Sequence, residues 1–230
     1  MRLSLPANFY TALAKNGWAV LQGPSPMFDL VQIAHAVGEP VRSLGELDLE
    51  VLKPKATKDA RLNTTSGIHG LNAFPPHTDM AHWPVPPRFL AMRTRKAMDG
   101  IPTQLLDREA LKLDAHTNAL LRRSVWRIIR VRRPYLCSVY FDYHGQSGIR
   151  WDTCTMIPQG QIATDVQPSL LELIDGAFRN ERAEHEWTSA EEVLVIDNWR
   201  VLHARPEIPE CAIGRELERI LIGDWHVGKT

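Results

Sequence analysis

Hydrophobic residues follow a helical period near the start of the chain and a strand-like period over most of the rest. The spacing predicts helices over residues 8–15 and 30–37, with a strand over 18–21 between them. Gly38 indicates where the second helix ends. From 44 to 76 only short apolar runs remain, separated by Pro, Lys, Thr, Ser and Gly, and this composition favours loops.

Short alternating or apolar runs then follow one another to the end of the chain. They predict strands over 88–94, 101–106, 125–132, 136–141, 149–151, 154–157, 192–196 and 215–225. Helices are predicted over 107–121 and from Ser169, where Ser169-Leu170-Leu171-Glu172 has the pattern of a capping box. Many short strands with a few covering helices predict a mainly β fold with flanking helices and a double-stranded β-helix (jelly-roll) core.

Length and composition favour a single soluble domain. The chain has 230 residues, of which 44% are hydrophobic and 23% charged. We expect one domain over 1–230, in which 1–60 form a supporting helix and strand region and 70–225 form the core.

Charge adds little to this picture at the level of the whole chain. Lys plus Arg and Asp plus Glu number 27 each, so no nucleic-acid partner is expected. The most basic stretch, 122–133, is interpreted as a strand with a solvated basic face. Three cysteines without a C-x-x-C pair indicate buried thiols in a reducing compartment. With no run of about 18 apolar residues, we expect a cytoplasmic protein without membrane contact.

Candidate chemistry lies in the tripeptide His77-Thr78-Asp79. Residues two apart on a strand project to one face, so His77 and Asp79 can reach one metal ion while Thr78 points away. A third ligand must come from elsewhere, either His82, which would need a turn within the motif, or His203. Two imidazoles and one carboxylate leave the opposite face of a metal open for oxygen and a cosubstrate.

Four motifs follow one another in a fixed order. They are Asn72-Ala73-Phe74-Pro75-Pro76-His77-Thr78-Asp79, then Pro86-Pro87-Arg88-Phe89-Leu90 with Asp99-Gly100-Ile101-Pro102-Thr103, then Asp197-Asn198-Trp199-Arg200-Val201-Leu202-His203, and Gly214-Arg215-Glu216-Leu217-Glu218-Arg219. This order resembles the Fe(II)/2-oxoglutarate-dependent dioxygenases of the taurine dioxygenase/TfdA-like (clavaminate synthase-like) family. The resemblance covers most of residues 70–225.

The resemblance implies an oxidoreductase that uses O2 and decarboxylates 2-oxoglutarate to succinate and CO2 while it hydroxylates or similarly oxidises a C–H bond. His77, Asp79 and His203 would bind Fe(II). Arg215, aided by Thr103, would hold the distal carboxylate of 2-oxoglutarate, because a guanidinium matches a carboxylate. Arg219 would contact either the cosubstrate or an acidic group of the substrate. Related halogenases lack the carboxylate ligand, so Asp79 implies hydroxylation-type chemistry.

The substrate is less defined than the iron site. We call the segment His77-Thr78-Asp79 and the turn after it the metal loop. It is flanked by residues that could line a pocket for a small substrate, acidic or zwitterionic: His69, Asn72, Phe74 and Trp83. Arg150-Trp151-Asp152 is similar to a motif found near the substrate chamber of such enzymes, and a buried Arg–Asp pair explains it equally well. Pro76 stands where relatives often have an aromatic residue, so no particular substrate follows.

Two other classes of function use the same residues. A hydrolase could use His77, Asp79 and His203 to bind a divalent metal that activates water, without any need for Arg215 or Thr103. A non-catalytic jelly-roll protein could bind a small molecule or a partner and retain a vestigial metal site.

Overall fold

The computed structural model describes residues 3–22, 29–41, 49–61, 64–96 and 98–225. Two antiparallel sheets dominate it. The larger has the strand order β1 (Trp18–Leu21), β13 (Val193–Asp197), β5 (Phe89–Thr94), β15 (Leu217–Trp225) and β2 (Gly38–Val41), with β3 (Leu49–Leu52) also paired to β15. The smaller has the order β12 (Ala183–Trp187), β6 (Met98–Asp107), β14 (Val201–Arg205) and β4 (Phe74–His77).

The remaining elements cover the two sheets. A three-stranded sheet has the order β11 (Met156–Gln159), β7 (Val125–Ile128) and β8 (Tyr135–Cys137), and a hairpin pairs β9 (Tyr140–Tyr143) with β10 (Gln146–Ile149). The helices are α1 (Ala7–Asn16), α2 (Leu30–Val37), α3 (Thr65–His69), α4 (Ala115–Arg123) and α5 (Gln161–Glu181). The predicted mainly β fold with flanking helices is confirmed.

The alternation of β15 shows how the two large sheets are held. Leu217 and Leu221 pack with Leu105 and Trp187 of the smaller sheet, so this face lies between the sheets. Ile220 and Ile222 lie on the other face and pack with α1 and α2. Because side chains alternate along a strand, one strand serves both layers, as its sequence predicted. Arg219 is therefore on the face between the sheets.

Two helix predictions need correction. The helix predicted from Ser169 begins eight residues earlier at Gln161, and Pro168 lies inside it. Although proline removes one helical hydrogen bond, the helix continues because Val166, Leu170 and Ile174 form one buried face. The helix predicted over 107–121 is broken at Lys112, which has a φ of 47°.

Several strands and two cysteines also differ from expectation. β2, β3, β12 and β14 were not predicted, because each is only four or five residues long. Of the predicted loop region 44–76, residues 44–48 and 62–63 lie outside the described part of the chain. Cys154 is buried, but Cys137 is half-buried and Cys211 is exposed. Within the described residues, no helix is long and apolar enough to cross a membrane.

Gly17 permits the close packing of α1 on the strand that carries His203. Its φ is +80°, and a Cβ there would lie 2.6 Å from Cγ2 of Val201. We expect Gly17→Ala to lower the free energy of unfolding by about 2–4 kcal/mol, because backbone strain and overpacking add. Gly145→Ala is the control, because Gly145 has a φ of +75° but open space around it. Urea unfolding that showed equal losses for both variants would contradict this packing.

Candidate metal centre

Strand pairing brings the two histidines together. His77 ends β4 and lies directly opposite His203 of β14, and their ring centroids are 4.4 Å apart. Asp79 follows in the turn after β4, where Met80 has a φ of 54°. The structure thus selects His203 over His82 as the neighbour of the H-x-D pair, and Tyr135 Oη donates to the main-chain oxygen of His82.

The donor atoms of this cluster converge on one point. His77 Nε2 is 3.6 Å from Asp79 Oδ1, and His203 Nε2 is 3.7 Å from Asp79 Oδ2. Each residue offers a ligand atom within 4.8 Å of the others. A metal bound at about 2.1 Å would hold neighbouring donors about 3 Å apart, so small side-chain movements suffice. Two imidazoles and one carboxylate on one side are a donor set that fits iron(II).

Burial and charge set the ionisation of the three groups. Burial raises the pKa of Asp79, but the charge of Arg219 outweighs it and holds the pKa well below its usual range. Burial and the charge of His77 lower the pKa of His203. Burial also opposes protonation of His77, but hydrogen bonding and charge from Asp79 raise its pKa overall. An ionised carboxylate and a neutral His203 imidazole are the forms that bind metals.

The metal loop is fixed from behind by the segment Arg150-Trp151. Thr78 donates its N–H to the Trp151 oxygen at 2.8 Å and accepts from the Trp151 N–H at 3.1 Å, so its side chain points away from the cluster as predicted. Arg150 donates to the main-chain oxygens of Ala81, Trp83 and Pro84. The expected Arg150–Asp152 pair does not form between these described residues.

Asn198 fixes the main chain at Asp79. Its Oδ1 accepts from the Asp79 N–H at 2.8 Å, and its Nδ2 donates to the oxygens of Asp79 and Pro87. Asn198 has no exposed surface. Asn198, in the polar corner Asp197-Asn198 seen in the sequence, therefore fixes the main chain that carries the Asp79 carboxylate.

Asn198→Ala is expected to lower the free energy of unfolding by about 2–4 kcal/mol, because buried main-chain groups lose their partners. Fe(II) affinity should fall roughly tenfold through loss of orientation at Asp79. Asn118→Ala is the control, since the buried Oδ1 of Asn118 has no partner among the described residues. Urea unfolding and Fe(II) titration of both variants measure these effects. Equal effects would show that Asn198 does not hold the loop.

Arg219 lies beside the cluster and binds two carboxylates. Its Nη1 donates to Asp79 Oδ2 at 2.6 Å, and its Nε and Nη2 donate to Glu50 Oε2. Glu50 comes from β3, directly opposite Arg219 in the β15–β3 pairing. No pattern in the sequence indicated Glu50, because it lies in a region of weak signals.

Arg215 and Thr103 have different surroundings. Arg215 is 4% exposed, and its Nε and Nη2 are buried without a hydrogen-bond partner in the described part of the chain. Burial and the nearby charge of Arg205 lower the pKa of Arg215 to about 10. Thr103 Oγ1 accepts from Trp187 Nε1 at 3.1 Å. Because an indole nitrogen only donates, the Thr103 hydroxyl keeps its own hydrogen for another acceptor.

Residues predicted to flank the cluster form one chain of contacts with it. The Phe74 ring is 6.2 Å from that of His77 and 5.2 Å from that of His69. His69 Nε2 lies 3.0 Å from Cys154 Sγ. The Arg205 guanidinium stacks 4.2 Å from the Phe74 ring and donates to the main-chain oxygens of residues 70–72. Asn72 thus contributes its main chain here, and the Trp83 oxygen binds Arg150.

Comparison with known proteins identifies the fold. No family model matches the chain, and no curated protein matches its sequence. Asparagine oxygenase, solved with Fe(II), 2S,3S-3-hydroxyasparagine and succinate, is similar with a TM-score of 0.71 and 18% identity over 94% of this chain and 79% of that chain. The non-heme iron oxygenase OrfP, solved with Fe and alpha-ketoglutaric acid, gives a TM-score of 0.69 and 18% identity over 94% and 78%.

A third similar structure is the PvcB protein from Pseudomonas aeruginosa, with a TM-score of 0.67 and 20% identity over 95% of this chain and 80% of that chain. PvcB is described as an Fe, alpha-ketoglutarate dependent oxygenase from an isonitrile synthetic pathway. Coverage of more than nine-tenths of this chain means that the likeness includes both large sheets and their covering helices. The chain has the fold of these iron-dependent oxygenases.

Proposed function

We propose that this protein is an Fe(II)- and 2-oxoglutarate-dependent oxygenase that hydroxylates or similarly oxidises a C–H bond of a small organic substrate. The observation that carries the proposal is the combination of a buried His77–Asp79–His203 cluster with a buried Arg215 guanidinium that lacks an anionic partner among the described residues. A buried unpaired cation is costly, so its presence favours an anionic ligand. A metal hydrolase has no use for this cation.

Each residue of the site has a part in this proposal. His77, Asp79 and His203 would hold Fe(II), which when bound supplies the activation of O2 coupled to decarboxylation of 2-oxoglutarate to succinate and CO2. Arg215 would pair with the distal carboxylate of 2-oxoglutarate, and Thr103 would donate its free hydroxyl hydrogen to it. Arg219 contributes charge beside Asp79, and a direct contact with the cosubstrate would require it to exchange one of its present carboxylate partners.

Asp152 is a further carboxylate near the metal centre, and it is not one of the three groups that would bind the metal. Trp151 is hydrogen-bonded to Thr78, the middle residue of the H-x-D pair. Asp152 is the next residue after Trp151 in the chain. Asp152 accepts from the Cys154 N–H at 2.8 Å and from the Thr155 hydroxyl at 2.7 Å, and it forms no ion pair with a described side chain. Burial lowers the pKa of His69 and of His82, and the charge of Asp152 partly offsets this effect.

We therefore assign Asp152 to a cationic group of the substrate. An ammonium group would satisfy the carboxylate next to the metal centre. The similar structures contain hydroxylated asparagine and arginine, which carry such a group. A small zwitterion of the amino-acid type is thus the proposed substrate class.

The three free cysteines agree with the proposed cytoplasmic location.

Asp152→Asn is expected to weaken binding of amino-acid substrates by roughly 30–100-fold, because it removes a charge pair and keeps the shape of the side chain. The Fe(II) and 2-oxoglutarate affinities should not change. L-asparagine and L-arginine serve as probes, each compared with its counterpart that lacks the α-amino group, and stimulation of succinate formation is the measurement. Asp165→Asn on α5 is the control. Equal stimulation by the amino acids and their deaminated counterparts would show that Asp152 does not bind the ammonium group of the substrate.

Turnover of the cosubstrate tests the proposed function. The protein should release labelled CO2 from 2-oxoglutarate labelled at C1, with equal amounts of succinate, only when Fe(II) and O2 are both present. A chelator should stop the release, and Fe(II) added in excess should restore it. Folded protein that binds Fe(II) but releases no CO2 with any amino acid would contradict the proposal.

A further inference from the structure

The most basic part of the chain is exposed from the end of α4, through β7, to the connection before β8. Six arginines occur within the twelve positions from 122 to 133. We call the following residues the arginine surface: Arg122, Arg123, Arg127, Arg130, Arg132, Arg133, Val125 and Leu136, all of which are exposed. Among the described residues, no carboxylate oxygen lies within 4.0 Å of any of these arginines. In a chain of zero net charge, this is a local concentration of unpaired positive charge.

Apolar side chains lie within the same surface. Leu136 is 59% exposed and Val125 is 40% exposed. Leu136 on β8 lies directly opposite Arg127 on β7, so cation and aliphatic side chain are neighbours. The opposite face of β7 is fully buried through Trp126 and Ile128. The outward face of this sheet therefore combines charge with exposed apolar area, which a purely solvated face does not require.

Hydrogen bonds connect the strands that carry the arginine surface to the metal loop and to Asp152. Ile129 donates its N–H to the Thr155 oxygen at 2.8 Å, and the Thr155 hydroxyl donates to Asp152. On the neighbouring strand, Tyr135 Oη donates to the His82 oxygen at 2.8 Å. A molecule bound at this surface would thus contact the elements that support the metal loop and Asp152.

We infer that the arginine surface binds an acidic segment of a partner protein that also carries aliphatic side chains. Charge complementarity supplies the attraction, and Leu136 and Val125 supply apolar contact. Single-stranded nucleic acid fits less well, because the surface as defined has no aromatic ring for base stacking, and the nearby Tyr140 is half-buried beneath Arg122. A lipid surface fits less well because Leu136 lies within a strand and does not project from a tip.

Fluorescence anisotropy tests this inference on the full chain. The probe is a short labelled polyglutamate peptide with inserted leucines, compared with the same peptide carrying serines in their place. Single-stranded DNA of similar length and vesicles containing phosphatidylserine are the competing probes. We expect the leucine peptide to bind at least several-fold more tightly than the serine peptide, with an affinity that falls as salt is added.

Three variants assign the binding to this surface. Arg127→Glu with Arg130→Glu should weaken the leucine peptide at least roughly tenfold, since two attractive charges become repulsive. Leu136→Ser should remove the difference between the two peptides. Lys55→Glu with Lys58→Glu, at exposed positions elsewhere, is the control and should change little. Unfolding temperatures verify that each variant is folded.

Other outcomes would overturn the inference. If DNA or vesicles bound more tightly than the leucine peptide and lost binding in the Arg127/Arg130 variant, the surface would belong to a nucleic acid or a membrane. If no probe distinguished this variant from the lysine control, the arginines would form a solvated face only. These results do not depend on the metal centre, so the proposed function stands or fails separately.

Discussion

Replacing Arg215 by methionine is expected to weaken 2-oxoglutarate binding by about 100-fold while making the ligand-free protein more stable. The affinity falls because the distal carboxylate loses its charged partner in a buried site. The stability rises by about 1–4 kcal/mol, because an aliphatic side chain of similar length replaces a buried guanidinium whose Nε and Nη2 have no partner among the described residues. Urea unfolding and calorimetric titration with 2-oxoglutarate measure the two effects.

The opposite signs of these effects make the test specific. Replacing a residue that only supports the fold would lower both the stability and the 2-oxoglutarate affinity. Arg205→Met is the control, because Arg205 is also partly buried but donates to main-chain oxygens of residues 70–72. The Arg205→Met variant should therefore be less stable than the unaltered protein. A cosubstrate analogue without the distal carboxylate should bind Arg215→Met and the unaltered protein equally. An Arg215→Met variant that bound 2-oxoglutarate normally would transfer the role to Arg219.

His203→Ala is expected to abolish turnover and to weaken Fe(II) binding by at least about 100-fold. Loss of one imidazole leaves only His77 and Asp79 from the cluster. Groups that bind the metal directly contribute more to its affinity than the groups that orient them. His82→Ala is the matched control, since the structure places its side chain outside the cluster. Its Fe(II) affinity should stay within a few-fold of the unaltered protein.

Anaerobic Fe(II) titration and CO2 release measure this pair of variants. Full activity in His203→Ala, or loss of metal in His82→Ala with His203→Ala unaffected, would reverse the choice of third ligand. Thermal unfolding of the metal-free variants shows that neither result comes from misfolding.

The pairing of His77 with Asp79 in the candidate metal centre could be predicted from the sequence, because it follows simple strand geometry. His77 and Asp79 lie two apart at the end of an extended segment, and His203 follows a buried strand, but spacing alone left His82 as an alternative. The direct pairing of His77 with His203 depends on the register between β4 and β14, which no local pattern encodes. The structure supplied that register and excluded His82.

Residues that act through tertiary contacts could not be predicted. Glu50 balances Arg219 only because β3 pairs with β15, and the sequence around Glu50 has weak strand signals. The sequence left two explanations for Arg150-Trp151-Asp152, a buried Arg–Asp pair or a motif near the substrate chamber, and Arg150 instead binds main-chain oxygens of the metal loop. The capping-box pattern at Ser169 placed the start of α5 too late, because burial of one helix face outweighs the hydrogen bond lost at Pro168.

The central claim is that Fe(II) and 2-oxoglutarate bind together at His77, Asp79 and His203. Its most direct test is the anaerobic addition of both to the metal-free protein, followed by visible absorption spectroscopy. We expect a weak metal-to-ligand charge-transfer band that needs both components and is lost in His203→Ala. Folded protein that binds Fe(II) but shows no such band at saturating 2-oxoglutarate would contradict it.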